Sequence, residues 1–171
     1  SDADVCYTPG SFMQSNTGSY NALLESLRRH VPPGAAVSEL YAGAGAIGLS
    51  IAAASCVSAT TTNNNKADAI SSVRCVECVA AAAETFEQSV GRLPEDARRR
   101  VSFEVARADQ AVDRAVRDVD VFIVDPPRKG LDSYTLAALT GRMSKEMKKR
   151  GGGSAEGDTA VDPGKKKNKN K

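Results

Sequence analysis

The chain has no tryptophan, a single histidine and few aromatics of any kind, with four Tyr and four Phe among 171 residues. Large rings therefore cannot dominate its core, and the heavy use of alanine suits helices lying over a modest core. No apolar stretch approaches the roughly 20 residues that a membrane-spanning helix needs. The opening Ser1-Asp2-Ala3-Asp4 has no apolar run of the kind a secretory leader carries. The four cysteines, at 6, 56, 75 and 78, are thus expected to be reduced thiols rather than a disulfide framework. Cys75 and Cys78 have C-x-x-C spacing, but a structural zinc needs a second ligand pair, and His30 stands alone. No metal is expected. These features predict an intracellular protein, cytoplasmic or organellar (plastid or mitochondrial).

A dominant charge of one sign is also lacking. The net charge is +2; residues 1–150 hold 18 basic and 18 acidic side chains, and residues 151–171 hold five Lys and three acids. A neutral body argues against nucleic-acid binding through bulk electrostatics, although a local basic patch remains compatible with it.

What is present is an alternation of strand and helix patterns. The spacing of Tyr20, Leu23, Leu24 and Leu27 predicts a helix from Ser15 or Asn16 to His30, stopped by Pro32-Pro33-Gly34. Strands are predicted at 36–41, 73–77, 101–105 and 119–124, with helices at 47–55, 80–90, 110–117 and 134–149. The polar stretch 58–72, with its run of Thr and Asn, reads as a solvent-exposed insertion. Residues 94–100 read as a polar connection with a helical turn. Two regions follow: a body over 1–150 and a Gly/Lys-rich tail over 151–171 that cannot bury a core. Alternating strands and helices imply an α/β fold with a parallel sheet, whose ligands bind at the carboxyl ends of the strands.

Each candidate site follows a predicted strand. In Glu39-Leu40-Tyr41-Ala42-Gly43-Ala44-Gly45-Ala46-Ile47-Gly48, Gly43 and Gly45 allow a tight turn and close approach of a ligand to backbone. That spacing fits a nucleotide cofactor loop and equally a turn needed only for packing. Glu77 ends the second strand, where an acid can accept from two ribose hydroxyls; an ordinary solvated carboxylate is the competing reading. Asp109 can accept from an adenine amine, cap the helix predicted at 110–117, or both. The most specific segment is Asp125-Pro126-Pro127-Arg128-Lys129-Gly130-Leu131. Its prolines stiffen the backbone, its acid opens onto the cleft, and Arg128 and Lys129 set two cations beside it that suit a phosphate backbone.

The D-P-P-R-K-G-L segment after V-F-I-V resembles the RNA uracil-5-methyltransferase family. The E-L-Y-A-G-A-G-A-I-G-L-S turn is similar to that family's cofactor loop, and Phe12-Met13-Gln14-Ser15-Asn16 is similar to its F-x-Q-x-N segment. The likeness spans roughly residues 9–140, within a few residues. It implies a Rossmann-like class I methyltransferase core with a partly parallel, incomplete sheet. It also implies S-adenosylmethionine as cofactor and tRNA or rRNA as partner, with no membrane. By position, Gln14, Tyr41, Glu77 and Asp125 would contact S-adenosylmethionine, and Gly43 and Gly45 would shape its loop. Ala46 stands where some members carry a contacting Asn, Asp109 falls near a further cofactor position, and Arg128 would face the RNA.

One departure qualifies the resemblance. The family's reaction uses a Cys nucleophile on the strand after D-P-P-R, and no Cys follows Leu131 here. The expectation is a cofactor-binding fragment, or a noncatalytic copy of the fold that serves RNA or a partner, without a catalytic residue of its own. An amino-methyltransferase would carry an aromatic residue where Arg128 stands, and a nicotinamide dehydrogenase gives D-P-P-R-K-G-L no role.

Overall fold

The computed structural model describes residues 3–9, 12–61 and 69–142. Ten elements alternate along the chain: α1 (Thr17–His30), β1 (Ala36–Leu40), α2 (Ala46–Thr61), β2 (Ser72–Glu77), α3 (Ala82–Val90), α4 (Glu95–Arg98), β3 (Val101–Val105), α5 (Ala108–Ala115), β4 (Val121–Val124) and α6 (Ser133–Leu139). The strands form one sheet in the order β3-β2-β1-β4. Every pairing in it is parallel, with Glu39 of β1 level with Cys75 of β2 and Ile123 of β4. The order reverses between β1 and β4, so the carboxyl ends of these strands flank the crevice where α/β sheets bind ligands.

Alternation along the strands sorts side chains to two faces. Val37, Val73, Cys75 and Ile123 pack with Ile47, Leu49 and Ile51 of α2 and with Phe86. On the opposite face Leu40 and Val76 meet Ala108, Ala111, Val112 and Ala115 of α5. Phe86 and Phe103 lie 4.7 Å apart between ring centroids and join α3 to β3. Helix α1 begins where Asn16 Oδ1 accepts the Ser19 N–H at 3.0 Å, and it ends at Val31, before the two prolines.

Four expectations are corrected. Helix α2 runs on to Thr61 rather than ending near Ser55. Ala69 and Ile70, read as part of a solvent-exposed insertion, are only 7% and 2% exposed. They are drawn in by backbone bonds from Gly34 N–H to Ala69 O and from Ser71 N–H to Ala35 O, which lead into β2; residues 62–68 lie outside the described set. Strand β4 starts at Val121 rather than Val119, because Asp120 is engaged in bracing β1: its N–H donates to Ala36 O and its Oδ2 accepts the Ala36 N–H. Helix α6 stops at Leu139 instead of continuing to Lys149. Gly141, at φ +68, takes the left-handed turn that closes helices, and the Arg142 N–H returns to Ala137 O. Residues 143–150 and the tail at 151–171 are outside the described residues.

Candidate functional site: an acid-lined cavity at the carboxyl edge of the sheet

The turn from β1 into α2 is built by close contacts. Ala42 N–H donates to Val76 O, Gly45 N–H donates to Ala42 O, and Leu49 N–H donates to Gly45 O. Gly45 has φ +78, and a Cβ there would lie 2.5 Å from the buried Phe86 ring. A Cβ on Gly48 would come within 2.6 Å of Cys75 Sγ and 2.9 Å of Glu39 Oε2. Both glycines therefore answer to packing beneath the turn, which lets its backbone face outward. Tyr41 opens the turn at φ +62, a left-handed conformation that side chains seldom adopt. Its hydroxyl donates to Asp132 Oδ2 at 3.4 Å, and Asp132 in turn caps α6 by accepting the Thr135 N–H at 2.8 Å.

Glu77 holds the turn from the side. Its Oε2 accepts the Gly43 N–H at 3.0 Å, while Oε1 accepts the Cys78 and Val79 N–H groups at 2.8 and 2.9 Å. Three backbone donors fix the carboxylate, and each oxygen has two lone pairs, so acceptor capacity remains for a ligand hydroxyl.

Above this turn opens a cavity of about 450 Å³, within the range of cofactor pockets. It brings together Gln14, Tyr41, Gly43, Ala46, Glu77 and Asp125. Asp125 arrives as β4 ends, its N–H reaching Leu40 O at 3.5 Å across the crevice. Gly45 lies below the turn rather than on the wall. Asp109 lies on a neighbouring cavity of about 120 Å³, which also touches Tyr41, Glu77, Cys78 and Lys129. The capping role for Asp109 does not hold: α5 starts at Ala108, and Asp109 sits in the first turn. Its carboxylate is clamped there by Arg107 at 3.0 and 3.2 Å. Arg128 and Lys129 are exposed beside the crevice.

The sequence reading missed Glu39 as a site residue. It is 1% exposed, yet it is among the residues that line the cavity. Its Oε2 accepts the Gly48 N–H at 3.0 Å and the Cys75 thiol at 3.4 Å. Burial is the largest influence and pushes its carboxyl up to about 7; the two hydrogen bonds act against that rise, and the nearby Asp125 and Glu77 add to it. The available signal was an acid in the middle of the buried strand A-V-S-E-L-Y, where acids are rare. Tyr7 and Tyr20 were missed as well. Both line the cavity, and burial raises both phenols above their ordinary value. The Cys75 thiol is also pushed up, by its own burial and by Glu39. Among the described residues no three His, Cys, Asp or Glu side chains cluster as metal ligands, and no helix is long and apolar enough to cross a membrane.

Strand order, glycine turn and crevice together define a Rossmann-like methyltransferase fold. The tRNA (uracil-54, C5)-methyltransferase of Pyrococcus abyssi, solved with S-adenosyl-L-homocysteine, matches 82% of this chain and 30% of its own at TM-score 0.59 and 23% identity. A precorrin 8w decarboxylase from Methanobacterium thermoautotrophicum matches 84% of the chain and 66% of its own at TM-score 0.56 and 14% identity. At these identities the likeness speaks for the fold. In sequence, the chain is 31% identical over 136 residues to an uncharacterised RNA methyltransferase of Protochlamydia amoebophila. That alignment takes in 80% of this chain and 31% of the relative's length. No family model matches the chain.

Proposed function

We propose that this chain is the donor-binding body of an S-adenosylmethionine-dependent RNA methyltransferase whose target is C5 of uridine in tRNA or rRNA. The observation that carries this reading is the cavity over the β1–α2 turn, with Glu77 tied to three backbone amides at its edge. The residues suit such a donor. Glu77 stands at the end of β2, where an acid accepts from ribose hydroxyls. The wall carries three carboxylates and, among the described residues, no Lys, Arg or His, which favours a ligand with positive charge. S-adenosylmethionine, when bound, supplies a methyl group carried on a sulfonium. Gln14 and Asp125 close the cavity where the sheet order reverses. Arg128 and Lys129 stand exposed beside them and suit the RNA backbone. Similarity to an RNA methyltransferase over 80% of the chain supports RNA as the substrate class.

Calorimetry with S-adenosylhomocysteine tests the donor site: saturable binding to one site is expected, and folded protein that gives no heat refutes the reading. Nucleoside analysis of RNA from cells lacking the gene tests the target. Loss of 5-methyluridine is expected, and loss of a different methylated nucleoside would rule out uridine C5.

A second reading, a noncatalytic RNA- or partner-binding module that keeps the fold, is favoured by the cysteines. Cys75 is buried against Glu39, and Cys78 sits beside Glu77, which raises its thiol pKa. RNA binding without any loss of methylated nucleosides in those cells would select it.

A further inference from the structure

The face of the sheet beneath α5 is apolar along its carboxyl half, where Leu40 and Val76 meet the helix. Two residues toward the amino ends, strand register sets Ser102 of β3, Arg74 of β2 and Ser38 of β1 side by side on that face. A cation in the middle of an interior strand is uncommon, and here it stands between two hydroxyl residues. Helix α5 spans only eight residues, and beside its end lies a groove of about 540 Å³. Ser72, Arg74, Ser102, Glu104, Arg114 and Arg117 line it, together with Asp118. None of these residues lines the cavity at the carboxyl edge.

The groove is rich in unused donors. Arg114 belongs to the fold, because it donates to Glu104 Oε1 at 2.7 Å and to Gln110 O. That pairing also occupies Glu104. Arg74 donates to Arg114 O at 3.0 Å, and neither Arg74 nor Arg117 forms an ion pair among the described residues. Ser38 Oγ is fully buried and finds no hydrogen-bond partner among them. A guanidinium carries five N–H donors and no acceptor, so most of the donors on Arg74 and Arg117 are unspent. The complement of such a set is a group that only accepts and carries negative charge, and a phosphate fits that description.

We propose that this groove is a second RNA contact, which holds backbone phosphate between Arg74 and Arg117. The proposal rests on reading RNA as the substrate, and it adds an anchor at the opposite edge of the sheet from Arg128 and Lys129. A strand of five residues, such as β1, is roughly 17 Å long, so one folded RNA reaches both edges. Phosphate contacts carry no sequence information; they fix the orientation of a nucleic acid on a protein. Two anchors at opposite edges set the direction in which the RNA crosses the molecule. They also explain how a body with no net charge over residues 1–150 engages a polyanion: its cations act where the fold leaves them unpaired.

The test is binding of a tRNA transcript to the full chain over a series of salt concentrations. Backbone contacts are independent of sequence, so the transcript serves whichever RNA is the target. Arg74→Gln with Arg117→Gln should lower affinity on the order of tenfold and shrink the slope of log affinity against log salt by about two, one for each lost contact. S-adenosylhomocysteine affinity should not change, because neither residue lines the donor cavity. If the double variant does not fold, Arg117→Gln alone, on the exposed turn after α5, should shrink the slope by about one. Unchanged RNA affinity and slope in the groove variants, with a reduced slope in Arg128→Ala/Lys129→Ala, overturns the groove and leaves the RNA reading standing. Inorganic phosphate that saturates the groove without weakening RNA binding marks a free-anion site and also overturns it. No binding of RNA by the folded native chain overturns the RNA reading itself, and the groove with it.

Discussion

The turn after β1 and the turn after β4 leave the same end of the sheet, yet they are built in opposite ways. The first is fixed from below by Phe86, from the side by Glu77 and from within the core by Glu39. The second, Asp125 to Gly130, is exposed along most of its length and is closed by one internal bond, from Gly130 N–H to Pro127 O at 2.8 Å. Its stiffness comes from two prolines rather than from tertiary contacts. A turn fixed on three sides is already shaped for a small ligand, which lowers the ordering cost of binding. An exposed loop with free cations suits a large polyanion that brings its own shape.

The contrast can be broken first at Gly45. Gly45→Ala drives a methyl group into the Phe86 ring at a left-handed φ, so urea unfolding should show a loss of about 3 kcal/mol, and donor binding should disappear. Retained stability would mean that the turn is not fixed from below. The second prediction concerns pH. The folded-state pKa of Glu39, about 7, lies above the ordinary glutamate value. Its contribution to stability is therefore complete below that ordinary value and is lost as pH rises through about 7. The free protein should lose on the order of 2 to 3 kcal/mol between pH 5 and 8, and Glu39→Gln should flatten the curve, as read from melting temperatures across that window. Third, Glu77→Ala releases three backbone amides and should weaken S-adenosylhomocysteine binding at least tenfold by calorimetry. The stability cost should be smaller, about 1 kcal/mol, because all three amides belong to exposed residues. The smallest structural effect belongs to the other loop. Arg128→Ala with Lys129→Ala should leave stability within about 0.5 kcal/mol. RNA affinity should fall, and the slope of log affinity against log salt should shrink by about two if both side chains meet phosphates.

The elements that the sequence made legible are those with local causes. Asn16 and the two prolines bound α1, β3 falls on its predicted residues, and the glycine turn follows its strand as its spacing requires. Gln14, Tyr41, Glu77 and Asp125 could be nominated because each sits in or after a motif at a strand end. Long-range partners decided the rest. Ala69 and Ile70 look like the end of a polar insertion until Gly34 N–H takes the Ala69 carbonyl and Ala35 O takes the Ser71 N–H, on either side of Ile70. Asp109 resembles a helix cap until Arg107 takes its carboxylate. Asp132 carries no motif, and it matters because Tyr41 reaches it over 91 residues of chain.

Glu39 marks the division most clearly. By itself the sequence determined an α/β chain with a glycine turn after its first strand, an acid after its second and an acid–Pro–Pro–Arg loop after its fourth, since periodicity, glycine and proline act over a few residues. Only the tertiary structure decided that an acid in the first strand would be sealed beneath that turn. Cys75 comes from a neighbouring strand, Gly48 from the helix beyond the turn and Asp125 from the far side of the crevice, and burial among them sets the protonation of Glu39. Desolvation is a property of the assembled neighbourhood, and no local pattern carries it.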